Sequence, residues 1–196
     1  MAIVAQENIA KELASGRSVP FIGLRDGPYP PQGLPRRTFK TNLAIKQGLE
    51  QLDLVNYGSA HTDGDTIIYV ALANIAVVGD VFSNPYYPVI DLSSGGSIDG
   101  LIYTVDQILA HINTETKIIP GHGLPANRAD LEAYRNMMVS VRDRVRSLIA
   151  AGKSREQVVA ADPTRDFDVK WGGGYVPSAT FVEMVFASLT AADQQN

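Results

Sequence analysis

An α/β sandwich is the fold class that the sequence predicts, and three observations predict it. Short β-branched or apolar runs alternate with stretches of helical periodicity, the strand–helix–strand order of an α/β architecture. Two apolar runs end in Gly79-Asp80 and in Pro120-Gly121-His122-Gly123, so each passes a potential ligand from a strand to a loop. A third such place, His61-Thr62-Asp63-Gly64-Asp65, lies between two strand-like runs.

The elements follow in order. Ile3 to Ala5 reads as a short strand, and Glu7 to Leu13 as a helix with Ile9 and Leu13 on one face and Gly16 as its stop. Residues 19–37 hold Pro20, Pro28, Pro30, Pro31 and Pro35 with Gly23, Gly27 and Gly33 among them, a composition for a long irregular loop. Such a loop is either a surface connection or a flap over a pocket. Thr38 to Ile45, Leu52 to Tyr57, Thr66 to Val70 and Asn74 to Val78 read as strands. The last of these is continuously apolar after Asn74, which suits burial on both faces.

Ser97 is placed to cap a helix over Ile98–His111, with Leu101, Val105, Ile108 and Leu109 inward. Lys117-Ile118-Ile119 is the next strand. Leu131, Tyr134, Met138, Val141, Val145 and Leu148 then recur at helical steps until Gly152, with Met137 and Met138 as core filler. Ser154 to Gln157 forms a capping box. Trp171-Gly172-Gly173-Gly174 reads as a loop, and Ser178 as the cap of a last helix with Phe181, Met184, Val185 and Leu189 on one face.

Composition narrows the function. The 196 residues suffice for one domain over 1–196, and 45% hydrophobic with 19% charged residues is ordinary for a globular protein. A net charge of −4 gives no basic footprint for nucleic acid. Arg142, Arg144 and Arg146, interrupted by Asp143, read as a solvated helix face. Without cysteine there are no disulfides and no thiolate metal sites. No apolar run approaches the ~20 residues of a membrane span. If Met1 is the true start, a cytoplasmic product is expected; if an upstream signal has been lost, an exported one.

His61, Asp80 and His122 are the candidate ligands. A lone histidine is more often structural, but Gly64 permits a tight turn beside His61, and Ala60 and Thr62 leave room for its ring. An acid at a buried strand end, as at Asp80, needs a partner, either turn hydrogen bonds or a metal. Gly121 and Gly123 bring the His122 imidazole out on a tight turn. His111, at a helix C-terminus, reads as structural.

These three motifs, in this order, closely resemble the later motifs of the metallo-β-lactamase superfamily. Ile90 to Ser97 (Ile-Asp-Leu-Ser-Ser-Gly-Gly-Ser) looks like a segment of one branch of its uncharacterised metallo-hydrolases. The resemblance runs from about Ile3 to Leu189. It implies an αββα sandwich with a one- or two-metal zinc site at the sheet edge. By position, His61 would complete the first metal site, Asp80 would bridge both metals, and His122 would belong to the second.

The earlier motif of that family, His-x-His-x-Asp-His, has no counterpart here. The chain resembles the portion just after it, and so an N-terminally truncated sandwich. Its water-activating aspartate is missing as well, and no catalytic residue is assigned. The implied chemistry is hydrolysis of a small-molecule ester, thioester, lactone or lactam by metal-bound hydroxide. Zinc normally keeps about three protein ligands plus water, so weak binding and little turnover are expected of these residues alone. The alternative is a non-catalytic binding or assembly module, such as a homo-oligomer that covers a bare sheet edge, for which no compensating charge or proline is evident. Two chains pooling partial sites is a third reading. No membrane or nucleic-acid partner is expected.

Overall fold

The computed structural model describes residues 3–193. Strand β1 (Val4–Gln6) leads into helix α1 (Glu7–Ser15), which Gly16 closes at φ 83°. The Gln6 side chain accepts from the Asn8 amide and so caps the helix. Residues 19–37 are more ordered than their composition suggests. Strands β2 (Arg17–Val19) and β3 (Leu24–Asp26) form an antiparallel hairpin, and single 3-10 turns occupy Pro20–Ile22 and Pro31–Gly33. Proline fixes the first position of each turn, and Gly23 supplies the left-handed conformation that turns the hairpin. The expected strand over residues 38–45 is two strands. β4 (Arg37–Phe39) pairs in parallel with β1, and β5 (Asn42–Gln47) opens the main sheet.

That sheet runs in sequence order: β5, β6 (Glu50–Val55), β7 (Ile67–Val70), β8 (Ile75–Asn84) and β9 (Lys117–Gly123). Its first three junctions are antiparallel, and β8 pairs with β9 in parallel. Parallel neighbours need a crossover, which α2 (Ile98–His111) supplies. β8 does not stop at Val78. Gly79 takes φ 53°, the register shifts there, and the strand continues to Asn84, so Asp80 lies within it. His122 likewise lies inside β9, opposite Ser83.

One face of this sheet makes the core. Ile67, Tyr69, Ala76, Val78 and Ile118 join residues of α2, α3 (Arg128–Ala150) and α6 (Ser178–Asp193) in one buried cluster. Each fully buried aliphatic side chain there contributes roughly 1.5–3 kcal/mol. The opposite face carries Ile68, Val70, Ile75, Val77 and Ile119, all half-buried. Burial of residues 74–78 on both faces is therefore not what is found. Besides this sheet the described residues form two two-stranded pairs, β1–β4 and β2–β3, in line with the resemblance to a sandwich that lacks part of one sheet. The edges are also better protected than expected, with Lys46 on β5 and Lys117 and Pro120 on β9.

The helices keep most of their predicted limits. Ser97 caps α2, Asn127 and Asp130 form a capping box on α3, and Ser154 and Gln157 form one on α4 (Arg155–Ala160). Met137 and Met138 are buried in the core. Arg142 and Arg146 both reach Asp99, tying α3 to α2, while Arg144 reaches Asp166. His111 is structural, its ring stacked on Tyr69 at 3.8 Å. Two expectations fail near the C-terminus. Trp171 ends a short helix, α5 (Asp168–Trp171), and is buried. Ser178 is the first residue of α6 rather than its cap, because its hydroxyl is drawn to Asp168 at 2.6 Å.

Candidate metal centre

The three candidate ligands meet at one end of the main sheet, and each arrives by a different route. Asp80 is lifted out of regular β8 geometry by the turn at Gly79. His122 comes from the neighbouring strand β9. Gly121 beside it has no side chain because none fits: a Cβ there would stand against the Asp80 carboxylate and 2.7 Å from the Gly79 carbonyl carbon.

His61 comes from the loop between β6 and β7, and that loop is tightly held. Thr62 donates to Asp65 through both its amide (2.8 Å) and its hydroxyl (3.2 Å), closing the turn. Burial raises the Asp65 carboxyl above its ordinary range, while His61 and the Thr62 donors work against that rise. The Ile90–Ser97 segment clamps the loop from below. The Asp91 amide donates to the His61 carbonyl (2.9 Å), the Asp63 amide to Ser94, and the Ser97 amide to Ala60. Gly96 permits this approach, since a Cβ would run into the His61 carbonyl. Asp91 is itself buried and accepts from the Ser93 amide and the Ser94 hydroxyl.

One contact sets the chemistry of His61. Its Nδ1 lies 2.9 Å from the Val89 carbonyl, which can only accept, so Nδ1 carries a hydrogen and Nε2 is the ring nitrogen turned toward the centre. That Nε2 faces Asp80 Oδ2 at 3.7 Å, and His122 Nε2 faces Asp80 Oδ1 at 3.3 Å. Two ligands of a tetrahedral zinc, each at 2.0–2.1 Å, stand about 3.3–3.4 Å apart. The observed separations approach that figure, and the donors are types zinc accepts. Nitrogen and carboxylate therefore fit the metal in chemistry and spacing. They do not fit it in number. Each carboxylate oxygen addresses a different imidazole, and among the described residues no three His, Cys, Asp or Glu side chains gather round one metal position.

The pair of imidazoles differs in setting. The His61 side chain is 12% exposed and that of His122 is 70% exposed. Around them the structure adds residues that the motifs did not point to. Ser83, Val89 and Tyr175 line the space at the centre, as do Arg17, Ile22 and Leu24 of the hairpin. The segment read as a surface connection or a flap is thus a wall of the cavity. Tyr175 donates its hydroxyl to the Ile22 carbonyl at 3.1 Å, joining that wall to the Gly172–Gly174 turn. These contacts span most of the chain, and no local sequence pattern announces them.

No protein-family model matches the chain, and neither does any curated protein. Solved structures do. A stereoselective inverting sec-alkylsulfatase, Pisa1, from a Pseudomonas species superposes with a TM-score of 0.60 at 15% identity, over 84% of this chain and 27% of that one. A double mutant of the same enzyme gives 0.61 at 16% identity, over 79% and 26%. A metallo-β-lactamase from Pontibacter korlensis gives 0.47 at 16% identity, over 55% and 50%. The chain thus spans about a quarter of the alkylsulfatase and half of the lactamase. At these identities the likeness speaks for the fold.

Proposed function

Since the chain has the mixed α/β architecture of the metallo-β-lactamase fold, we propose that it carries one half of a dinuclear zinc hydrolase centre. His61 and Asp80 serve one metal position, and Asp80 and His122 serve the other. The observation that supports this most is the Asp80 carboxylate, whose two oxygens each face one imidazole at close to ligand spacing. Zinc in such a centre supplies a Lewis acid for hydrolysis of a carbonyl compound. The chain's own part is to present the ligands. The Val89 carbonyl fixes the His61 tautomer, the β8–β9 pair fixes Asp80 beside His122, and the hairpin and Tyr175 wall off the substrate space.

The bond we assign to this centre is an ester, thioester, lactone or lactam in a small molecule. The sulfate esters of the alkylsulfatase named above belong in the same panel. Each metal position has two ligands here against about three at a catalytic zinc, so the rest come from outside these residues. On its own the chain binds zinc weakly and turns over little.

Zinc titration followed by thermal melting tests this reading, because a ligand specific to the folded state raises the midpoint. The midpoint should climb with zinc, and Asp80→Asn should abolish most of the climb. No climb at millimolar zinc in a folded chain would sink the proposal. The half-buried apolar face of the sheet favours a second reading, a non-catalytic assembly module. That reading requires a stable oligomer by sedimentation together with no response to zinc.

A further inference from the structure

Two cavities of about 370 Å³ each adjoin the candidate centre, and Ser83, Val89, His122 and Tyr175 line both. The first runs beneath the hairpin and reaches His61 and Asp80. The second leads away from them, between Tyr86, Tyr87 and Tyr175 on one hand and Gly173, Gly174 and Val176 on the other. We propose that this second arm is a substrate subsite for an apolar group the size of an aromatic ring, with Tyr175 at the divide as a specificity-determining residue. The position of the scissile bond beside His122 rests on the hydrolase reading above; the chemistry of the arm does not.

The arm's chemistry follows from where its polar atoms go. The Tyr87 hydroxyl donates to Asp168 at 2.8 Å, and its ring stacks on Phe181 at 4.7 Å, deep in the core. The Tyr175 hydroxyl is spent on the Ile22 carbonyl. With those hydroxyls engaged elsewhere and Tyr87 itself almost fully buried, Tyr86 and Tyr175 are the rings left to face the arm, and Val89 adds aliphatic surface. Ring faces and aliphatic walls with few polar groups are what an apolar or aromatic substituent selects.

The arm is also preformed. Buried Tyr87 anchors one side, and Gly174 lies so near Tyr86 that a Cβ would come within 2.6 Å of its ring. A wall already in place costs a ligand little to order. Its volume lies within the roughly 300–1,000 Å³ of small-molecule sites. Gly173, by contrast, has nothing within 4 Å of its Cβ position and does not take a positive φ. Gly173 lines the arm at an exposed position, so a side chain added there meets open space at the arm's rim and does not displace the fold.

The full chain should be titrated with phenylacetate and with acetate, two carboxylates that differ by one ring, while the amide resonances of residues 173–176 are followed by NMR. Phenylacetate should bind more tightly by about tenfold or more. Gly173→Leu should remove that preference and leave the melting midpoint unchanged. Tyr175→Ala should shift the preference toward a larger, naphthyl carboxylate. No preference in the parent chain, or one that survives Gly173→Leu in a folded variant, overturns the proposal. The zinc-induced rise in midpoint is read on the same samples. A ring preference without that rise supports the subsite while sinking the zinc reading.

Discussion

Replacing Gly121 with alanine tests the centre at its tightest point. The new methyl would stand inside the contact radius of the Asp80 carboxylate, 2.7 Å from the Gly79 carbonyl carbon and 2.9 Å from the Asp80 nitrogen. Both backbone atoms belong to the strand paired with β9, so the methyl must part the two strands or turn the carboxylate. Overpacking of this kind costs about 1–3 kcal/mol. At roughly 2–4 °C per kcal/mol for a chain of this size, the midpoint should fall by about 2–12 °C. The 3.3 Å separation of Asp80 from His122 is lost in either case, and zinc affinity should drop by about 10–100-fold, as when a group that orients a ligand is removed. Scanning calorimetry with and without zinc reads both effects. Gly27→Ala is the control, since its Cβ would meet nothing within 4 Å. A Gly121→Ala protein that melts like the parent and keeps the parent's response to zinc would refute the reasoning.

Three further expectations follow from particular contacts. His61→Ala should cost more stability than His122→Ala in zinc-free buffer, because His61 is the more buried and loses its bond to Val89; equal midpoints would argue against that. Although burial works to raise Asp168, bonds from Ser178, Tyr87 and Thr164 hold its carboxyl below the ordinary 3.8. Its contribution is therefore present above about pH 4 and lost as pH falls through the lower folded value, so Asp168→Asn should flatten the acid limb of the stability curve, and an unchanged limb would refute this. The Thr104 hydroxyl is buried in α2 with no partner among the described residues. Thr104→Val should thus raise stability by about 1 kcal/mol in urea unfolding, and a loss would show that the hydroxyl is satisfied.

Much of this architecture was legible where local signals agree. Over Ile98–His111 the cap, the period and the apolar face all point the same way, and the helix has those limits. Residues 19–37 depart from the expected long irregular loop because proline and glycine there set turn positions around a short hairpin. Gly79 misled for a related reason: it punctuates β8 without ending it. Ser178 has the chemistry of a cap, and a partner ten residues back outcompetes that use. The meeting of His61, Asp80 and His122 was anticipated from motif resemblance, not from periodicity. The Val89 carbonyl and the cavity walls at Arg17 and Tyr175 were not anticipated, since backbone groups and long-range walls leave no local trace.

The parallel pairing of β8 and β9 carries a kinetic consequence. Asp80 and His122 sit on adjacent strands, yet the whole α2 crossover lies between them in the chain. Until that loop has closed, the two side chains are strangers, and loop closure of non-local parallel strands is a slow step. Contacts that form after the transition state slow unfolding and leave the folding rate nearly untouched. A metal taken up by this pair only after the strands have met would behave as a bolt rather than a nucleus: refolding would run at the same pace with or without it, and the native chain would take longer to come apart.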